Sequence, residues 1–305
     1  MTSYKLATYG TSSGPRAGLV LGDTVYDAAA ATGNGADASV LAILEDWARA
    51  EGRLSAAAAK PKGKAIPLTE AALLAPVLYP SCVYCAGANY TDHMLEMANL
   101  HKIAPAPDPH QVGLKPWHFI KSPRAIVGPG AEVKLPPHSK AVDWEVELVA
   151  VIGRIATRVP LERALDHVAG YTIANDLSAR DVMKRDPLPD SSPFKYDWVA
   201  QKCFDGACPL GPWIVPARAI ADPQTLDLKL WVNGAIKQDS NTAKMIFTLA
   251  EQLSQLSTYV TLYPGDLILT GTPSGVGAAR REFLKPGDTV KLWIEGIGTL
   301  ENKMA

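Results

Sequence analysis

The sequence predicts a β-rich α+β fold, and three observations predict it. From Tyr79 onward, short β-like runs are separated by Pro and Gly at irregular intervals. Helical patterns are few there; the clearest is Ala243–Ser257, with Met245, Leu249, Leu253 and Leu256 on one side. Strands do not alternate with helices in regular turn, as a doubly wound sheet requires, and no segment repeats.

Residues 1–72 read as a small N-terminal α+β unit. Lys5–Tyr9 and Ala17–Leu21 flank a GTSSGP turn, and a Gly-Asp turn leads to Thr24–Tyr26, which together make an antiparallel meander. Val40, Leu44, Trp47 and Ala48 recur at helical spacing, so one amphipathic helix is expected over Ser39–Ala50. An Ala-rich stretch and the segment PKGKAIPL mark a boundary, leaving residues 73–305 as the second, larger unit. Its expected strands are Val83–Gly87, Ala125–Val127, Glu145–Ile152, His167–Ile173, Leu226–Val232, Leu267–Thr270 and Thr289–Ile294. Two irregular, Pro-rich stretches break the pattern, Glu96–Pro116 and Met183–Tyr196. Loops of that length inside a domain are often functional, and the first is expected to be a mobile lid.

Composition narrows the function classes. The 305 residues are 47% hydrophobic and 20% charged, enough for a sizeable core. Lys+Arg 30 against Asp+Glu 31 leaves a net charge of −1 without a basic block, so nucleic acid is not an expected partner. No apolar run reaches the length of a membrane span and MTSYKLATYG lacks a signal-peptide core, so no membrane association is expected and the cytoplasm is the expected compartment. Cys82 and Cys85 form a CxxC, but with Cys203 and Cys208 they make a poor zinc pattern; buried free thiols are expected.

The chemistry gathers around Asp143–Gly153, DWEVELVAVIG. Read as a strand, it puts Glu145 and Glu147 on one face, roughly 7 Å apart, with Trp144, Val146 and Leu148 on the other. Taken alone, two such glutamates also fit a solvated strand face. A second β-like run, GYTIANDLSARD, ends in Asp176, and three carboxylates suit a hard cation such as Mg²⁺. In Asn89–Glu96, His93 and Glu96 are helical neighbours, a spacing that fits either a general base with its orienting carboxylate or an exposed ion pair. Arg180 suits a bidentate grip on a carboxylate and Lys202 suits stabilising negative charge, though either could be a surface cation. GDLILTGTPSGVG lacks the GK[ST] of a phosphate loop, which removes nucleotide binding. Its backbone N–H groups and Thr272 remain free to face an anion.

In this order, NYxxHxxE, DWEVELVAVIG, GYTIANDLSARD, KxFDxxxPLGP, VNGxxxQ and PGDLILTGTPSGVG resemble the fumarylacetoacetate hydrolase family, over roughly Tyr79 to Leu300. The resemblance implies a mixed β-sandwich roll, normally a homodimer. It also implies a divalent metal, Mg²⁺ or Mn²⁺, on Glu145, Glu147 and Asp176. The catalytic set it implies is His93, Glu96 and Lys202, with Arg180 on the substrate carboxylate and Thr272 and Tyr90 facing substrate. The sequence departs from the family pattern at Met183, where many relatives carry Gln, and at Cys203, where Ser is commoner.

The expected activity is metal-dependent hydrolysis of a carbon–carbon bond in an acylpyruvate or similar β-diketo acid such as fumarylpyruvate, through a pyruvate enolate. The same site could decarboxylate a 2-oxo acid, isomerise a hydroxymuconate or hydrate a dienoate. A metal- or ligand-binding protein without turnover is the reading from another class, and it would need no base at His93.

Overall fold

The computed structural model describes residues 4–305. Val146–Ile152 lies deepest, and every one of its residues is buried. It pairs antiparallel with Val168–Asn175 on one side and Leu267–Leu269 on the other. A strand covered on both faces reads as a near-continuous apolar run, which is what VELVAVI is apart from its glutamate.

The long sheet continues outward in both directions. Beyond Leu267–Leu269 come Val83–Ala86, parallel to it, and then His118–Lys121. Beyond Val168–Asn175 comes Cys208–Pro216, which pairs at Ile214 with Leu6 of the first strand, Lys5–Thr11. The meander Lys5–Thr11, Gly14–Leu21 and Thr24–Asp27 forms as expected and completes that side. Twelve strands thus share one sheet, and one core holds Leu6, Trp47 and Leu54 together with Ala169, Ile214 and Leu269. A second sheet of five strands is built on Asp227–Val232, Ala235–Asn241, Thr289–Ile294 and Gly298–Met304. Thr289–Ile294 alternates inward Val290, Leu292 and Ile294 with more exposed neighbours, the pattern of a half-covered sheet.

The fold adds strands that were not expected, among them His118–Lys121, Ala235–Asn241 and Gly298–Met304, and it differs from expectation elsewhere too. The helix over Ser39–Ala50 is two helices, Val40–Glu45 and Trp47–Ala59. Asp46 leaves helical geometry between them, its carboxylate accepting from Arg53 Nη1 at 2.9 Å, and Ala48 is exposed while Ala50 and Leu54 face the core. The Ala243–Ser257 pattern becomes a helix only from Leu249, running to Tyr259. Thr248 and Glu251 form a reciprocal capping box that sets its start. Cys208–Pro216 escaped notice because Pro209 and Pro212 argue against an interior strand. Its ladder accommodates them with a register shift between Tyr171 and Ile173.

Candidate metal and substrate site

Glu145, Glu147 and Asp176 meet at one end of the long sheet, with a carboxylate oxygen from each lying within 4.8 Å of the others. All three are buried. Backbone ties fix the arrangement. Asp176 N–H donates to Glu145 O at 2.9 Å, Asn175 Oδ1 accepts from Glu145 N–H at 3.0 Å, and Gly271 N–H donates to Glu147 Oε2 at 2.8 Å. The solvated-face alternative for the glutamate pair is therefore overturned, because Glu145 and Glu147 are both buried.

Three cations are wired into this cluster. Lys202 Nζ lies 2.6 Å from Asp176 Oδ2 and 3.1 Å from Glu145 Oε2. Lys121 Nζ, fully buried, lies 2.6 Å from Asp176 Oδ1 and donates to Leu177 O at 3.0 Å. The Arg180 guanidinium spans Asp143 and Glu145, with Nε 2.9 Å from Asp143 Oδ2 and Nη2 on Glu145 Oε1. Burial alone would raise the Glu145 carboxyl, but the Lys202 and Arg180 charges outweigh it and hold it at about 2. Glu147 goes the other way: burial first, then the charges of Asp176 and Glu145, push it well above the usual carboxylate range. Among the described residues Glu147 makes no ion pair; the Gly271 N–H is its one hydrogen-bond donor. Three hard oxygen donors, one lacking a counter-charge, are a donor set that fits Mg²⁺ or Mn²⁺.

His93 and Glu96 lie on the helix Thr91–His101, which follows Val83–Ala86. His93 Nδ1 is 3.5 Å from Glu96 Oε2, an ion-pair contact longer than a formed hydrogen bond, and Nδ1 has no other partner. The Glu96 carboxylate is held by Gly275 N–H at 2.9 and 3.0 Å. Part of the expected lid is thus helix, and His110 Nε2 ties the following stretch to Glu251 Oε1 at 2.9 Å. Leu95 and Leu100 of this helix line a separate groove with Asn99 and Arg280.

A cavity of ≈ 200 Å³ opens over the cluster. His93, Glu145, Glu147, Asp176, Arg180, Lys202 and Thr272 all line it, so it gathers seven of the nine expected site residues. The two outside are Glu96, which reaches His93 from behind, and Tyr90. Tyr90 is fully buried with an unpartnered hydroxyl and does not line the cavity. Thr272 Oγ1 donates to Val146 O at 2.9 Å and accepts from Gln238 Nε2 at 2.9 Å, which makes it chiefly a clamp on the strand.

Sequence reasoning missed several residues. Asp143 anchors the Gly-rich turn by accepting from Gly277 N–H at 2.6 Å and Ala278 N–H at 3.0 Å while it holds Arg180. Its signal was present: positions 143, 145 and 147 alternate as acids on one face. Lys121 had a weaker one, a lysine in an otherwise apolar run, HFIK. Part of the cavity lining is aromatic. Trp117, Phe119 and Trp198 cluster with ring centroids 5.2 to 6.1 Å apart, and Met183 lies beside them. Gly87 backs this wall so closely that a Cβ there would fall 2.0 Å from the Trp117 ring.

The family model described as fumarylacetoacetate (FAA) hydrolase C-terminal matches residues 82–305. The chain belongs to the fumarylacetoacetate hydrolase family. Membership carries with it the sheet-dominated α+β fold and small organic acids as the family's substrates. A human mitochondrial oxaloacetate tautomerase is 43% identical over 241 residues, 78% of this chain and 71% of that protein. The 5-carboxymethyl-2-hydroxymuconate delta-isomerase of Mycobacterium smegmatis superposes with a TM-score of 0.73 at 32% identity, over 99% of each chain. Maleylpyruvate hydrolase from Sphingobium sp. SYK-6, in complex with manganese (II) ion and pyruvate, superposes with a TM-score of 0.75 at 29% identity, over 99% of this chain and 98% of that one. Family relatives thus include a tautomerase, an isomerase and a hydrolase.

Proposed function

We propose that this protein is a divalent-metal-dependent hydrolase that cleaves the carbon–carbon bond between the two keto groups of an acylpyruvate. The observation that carries the reading is the meeting, in one cavity, of an imidazole base with three clustered carboxylates. Glu145, Glu147 and Asp176 would hold Mg²⁺ or Mn²⁺, which when bound polarises the 2-oxo group. Arg180, steadied by Asp143, holds the substrate carboxylate through the part of its guanidinium not engaged by Asp143 and Glu145. His93 takes a proton from water as the water oxygen bonds to the distal carbonyl carbon. The bond between that carbon and C3 then breaks, its electrons pass to the pyruvate enolate, and Lys202 stabilises the negative charge. His93 returns the proton to C3, giving pyruvate and a carboxylic acid for one water consumed. Glu96, 3.5 Å from Nδ1, would orient the ring on closing that gap and leave Nε2 for this work. The homodimer implied by the family resemblance belongs to the same proposal.

A second reading, keto–enol tautomerisation of oxaloacetate, is favoured by the 43% identity to the human tautomerase. It uses the same base without the attacking water. Pyruvate release from acetylpyruvate, followed with lactate dehydrogenase in Mg²⁺, Mn²⁺ or EDTA, separates the two from enol-oxaloacetate decay in the same buffers. Metal-dependent pyruvate release that His93→Ala lowers on the order of 10²–10⁴-fold supports the hydrolase. Enol decay without pyruvate release supports the tautomerase.

A further inference from the structure

The cavity lining is of two chemical kinds. One comprises the carboxylates, His93 and two cations; the other comprises Trp117, Phe119, Trp198 and Met183. Both lining cations are already engaged. Lys202 is shared between Asp176 and Glu145, and Arg180 commits Nε and Nη2 to Asp143 and Glu145. What remains of Arg180 suffices for one carboxylate, the one next to the 2-oxo group. Lys121 is also committed to Asp176 and does not reach the cavity surface.

The aromatic lining is a packed cluster of three rings. Phe119 and Trp198 stack at 5.2 Å with planes 27° apart, and Trp117 meets Trp198 edge-on at 5.7 Å. Lys202 Nζ sits 5.0 Å from the Phe119 ring centroid, which links the wall to the charged floor. Gly87 behind Trp117 leaves the indole room to lie against the strand. Met183 adds a polarizable thioether to the lining beside these rings. A flat, conjugated arm stacks on such a wall, whereas a terminal carboxylate would lose water there without gaining a cation.

We propose that this wall makes the site selective for 2-oxo acids with a flat, uncharged aryl or alkenyl arm and discriminates against those ending in a second carboxylate. The proposal rests on the 2-oxo acid reading of the same cavity, so its test is binding, which does not require turnover. Calorimetry on the Mg²⁺-loaded full chain compares phenylpyruvate with 2-oxoglutarate, using wild type, Trp117→Ala and Trp117→Phe. Trp117 is about half exposed, so its replacement spares the fold.

Phenylpyruvate should bind at least about tenfold more tightly than 2-oxoglutarate. Trp117→Ala should erase most of that gap by weakening phenylpyruvate alone, and Trp117→Phe should restore it. Equal binding of the two acids by wild type, or a gap that survives Trp117→Ala, overturns the wall proposal. Failure of acetylpyruvate to release pyruvate overturns the hydrolase reading alone, because the binding comparison does not depend on turnover. Binding of neither acid overturns both.

Discussion

Replacing Lys121 with methionine should pull stability and metal affinity in opposite directions. The ammonium is fully buried, 2.6 Å from Asp176 Oδ1, and donates to Leu177 O at 3.0 Å. Methionine fills a similar volume but leaves that carboxylate oxygen and that carbonyl without a donor. Breaking a buried ion pair by removing one partner costs roughly 3–5 kcal/mol. Lys202 remains 2.6 Å from Asp176 Oδ2, so the lower end applies, about 3 kcal/mol. For a chain of this size that is a fall in Tm of roughly 4–6 °C in chelator-treated protein. A positive charge withdrawn from beside the carboxylates also lowers the repulsion felt by an entering cation, so Mg²⁺ should bind on the order of tenfold more tightly. Differential scanning fluorimetry in EDTA and calorimetry with Mg²⁺ read the two effects separately. An unchanged Tm would refute the assignment of Lys121 as a structural counter-ion. Weaker Mg²⁺ binding by the variant would refute the placement of the ion among these carboxylates.

Glu147→Ala should abolish Mg²⁺ and Mn²⁺ binding, since it removes the one clustered carboxylate without an ion pair; wild-type-like calorimetric binding would refute the ligand set. His118 supplies a pH dependence: burial pushes its imidazole down to about 4 against a small opposing effect from Gln252, and Nε2 has no partner. Because the folded value lies below the unfolded value of about 6.5, its contribution is complete above pH ~6.5 and is lost as pH falls toward 4, on the order of 2–3 kcal/mol. Urea midpoints across that window should fall more steeply in wild type than in His118→Gln, and parallel slopes would count against it. Thr248→Ala, which removes the capping box of the Leu249–Tyr259 helix, should cost about 1 kcal/mol by urea denaturation with no change in metal affinity.

What could be read from the sequence was local or periodic. The strand Val146–Ile152, its two glutamates on one side and the His93–Glu96 spacing follow from the geometry of single elements. Asp143 follows from the same alternation once the count is carried one step further back. The split at Asp46 escaped because hydrophobic spacing continues across it, while the Arg53 contact to that carboxylate is visible only in the fold. Lys121 escaped because a buried lysine is intelligible only beside its partner, and Asp176 lies 55 residues away in the chain. Trp117 and Trp198 belong to segments with no common period, and only the fold of the sheet brings their rings together. Tyr90 was placed by motif alone, and burial removes it from the cavity surface.

The close approach of Gly87 to Trp117 makes a residue outside the chemistry into a dial on the wall. A methyl group at position 87 would meet three indole atoms at 2.0, 2.2 and 2.4 Å, so the ring would have to swing outward. Because Trp117 packs against Phe119 and Trp198, the displacement would pass through all three rings, leaving the carboxylate floor where it is. A single-atom change behind the wall would therefore remodel which arms the cavity accepts without altering any group that handles a proton or a cation. Diversification of this scaffold toward new acids can begin at a glycine that brings no functional group to the site.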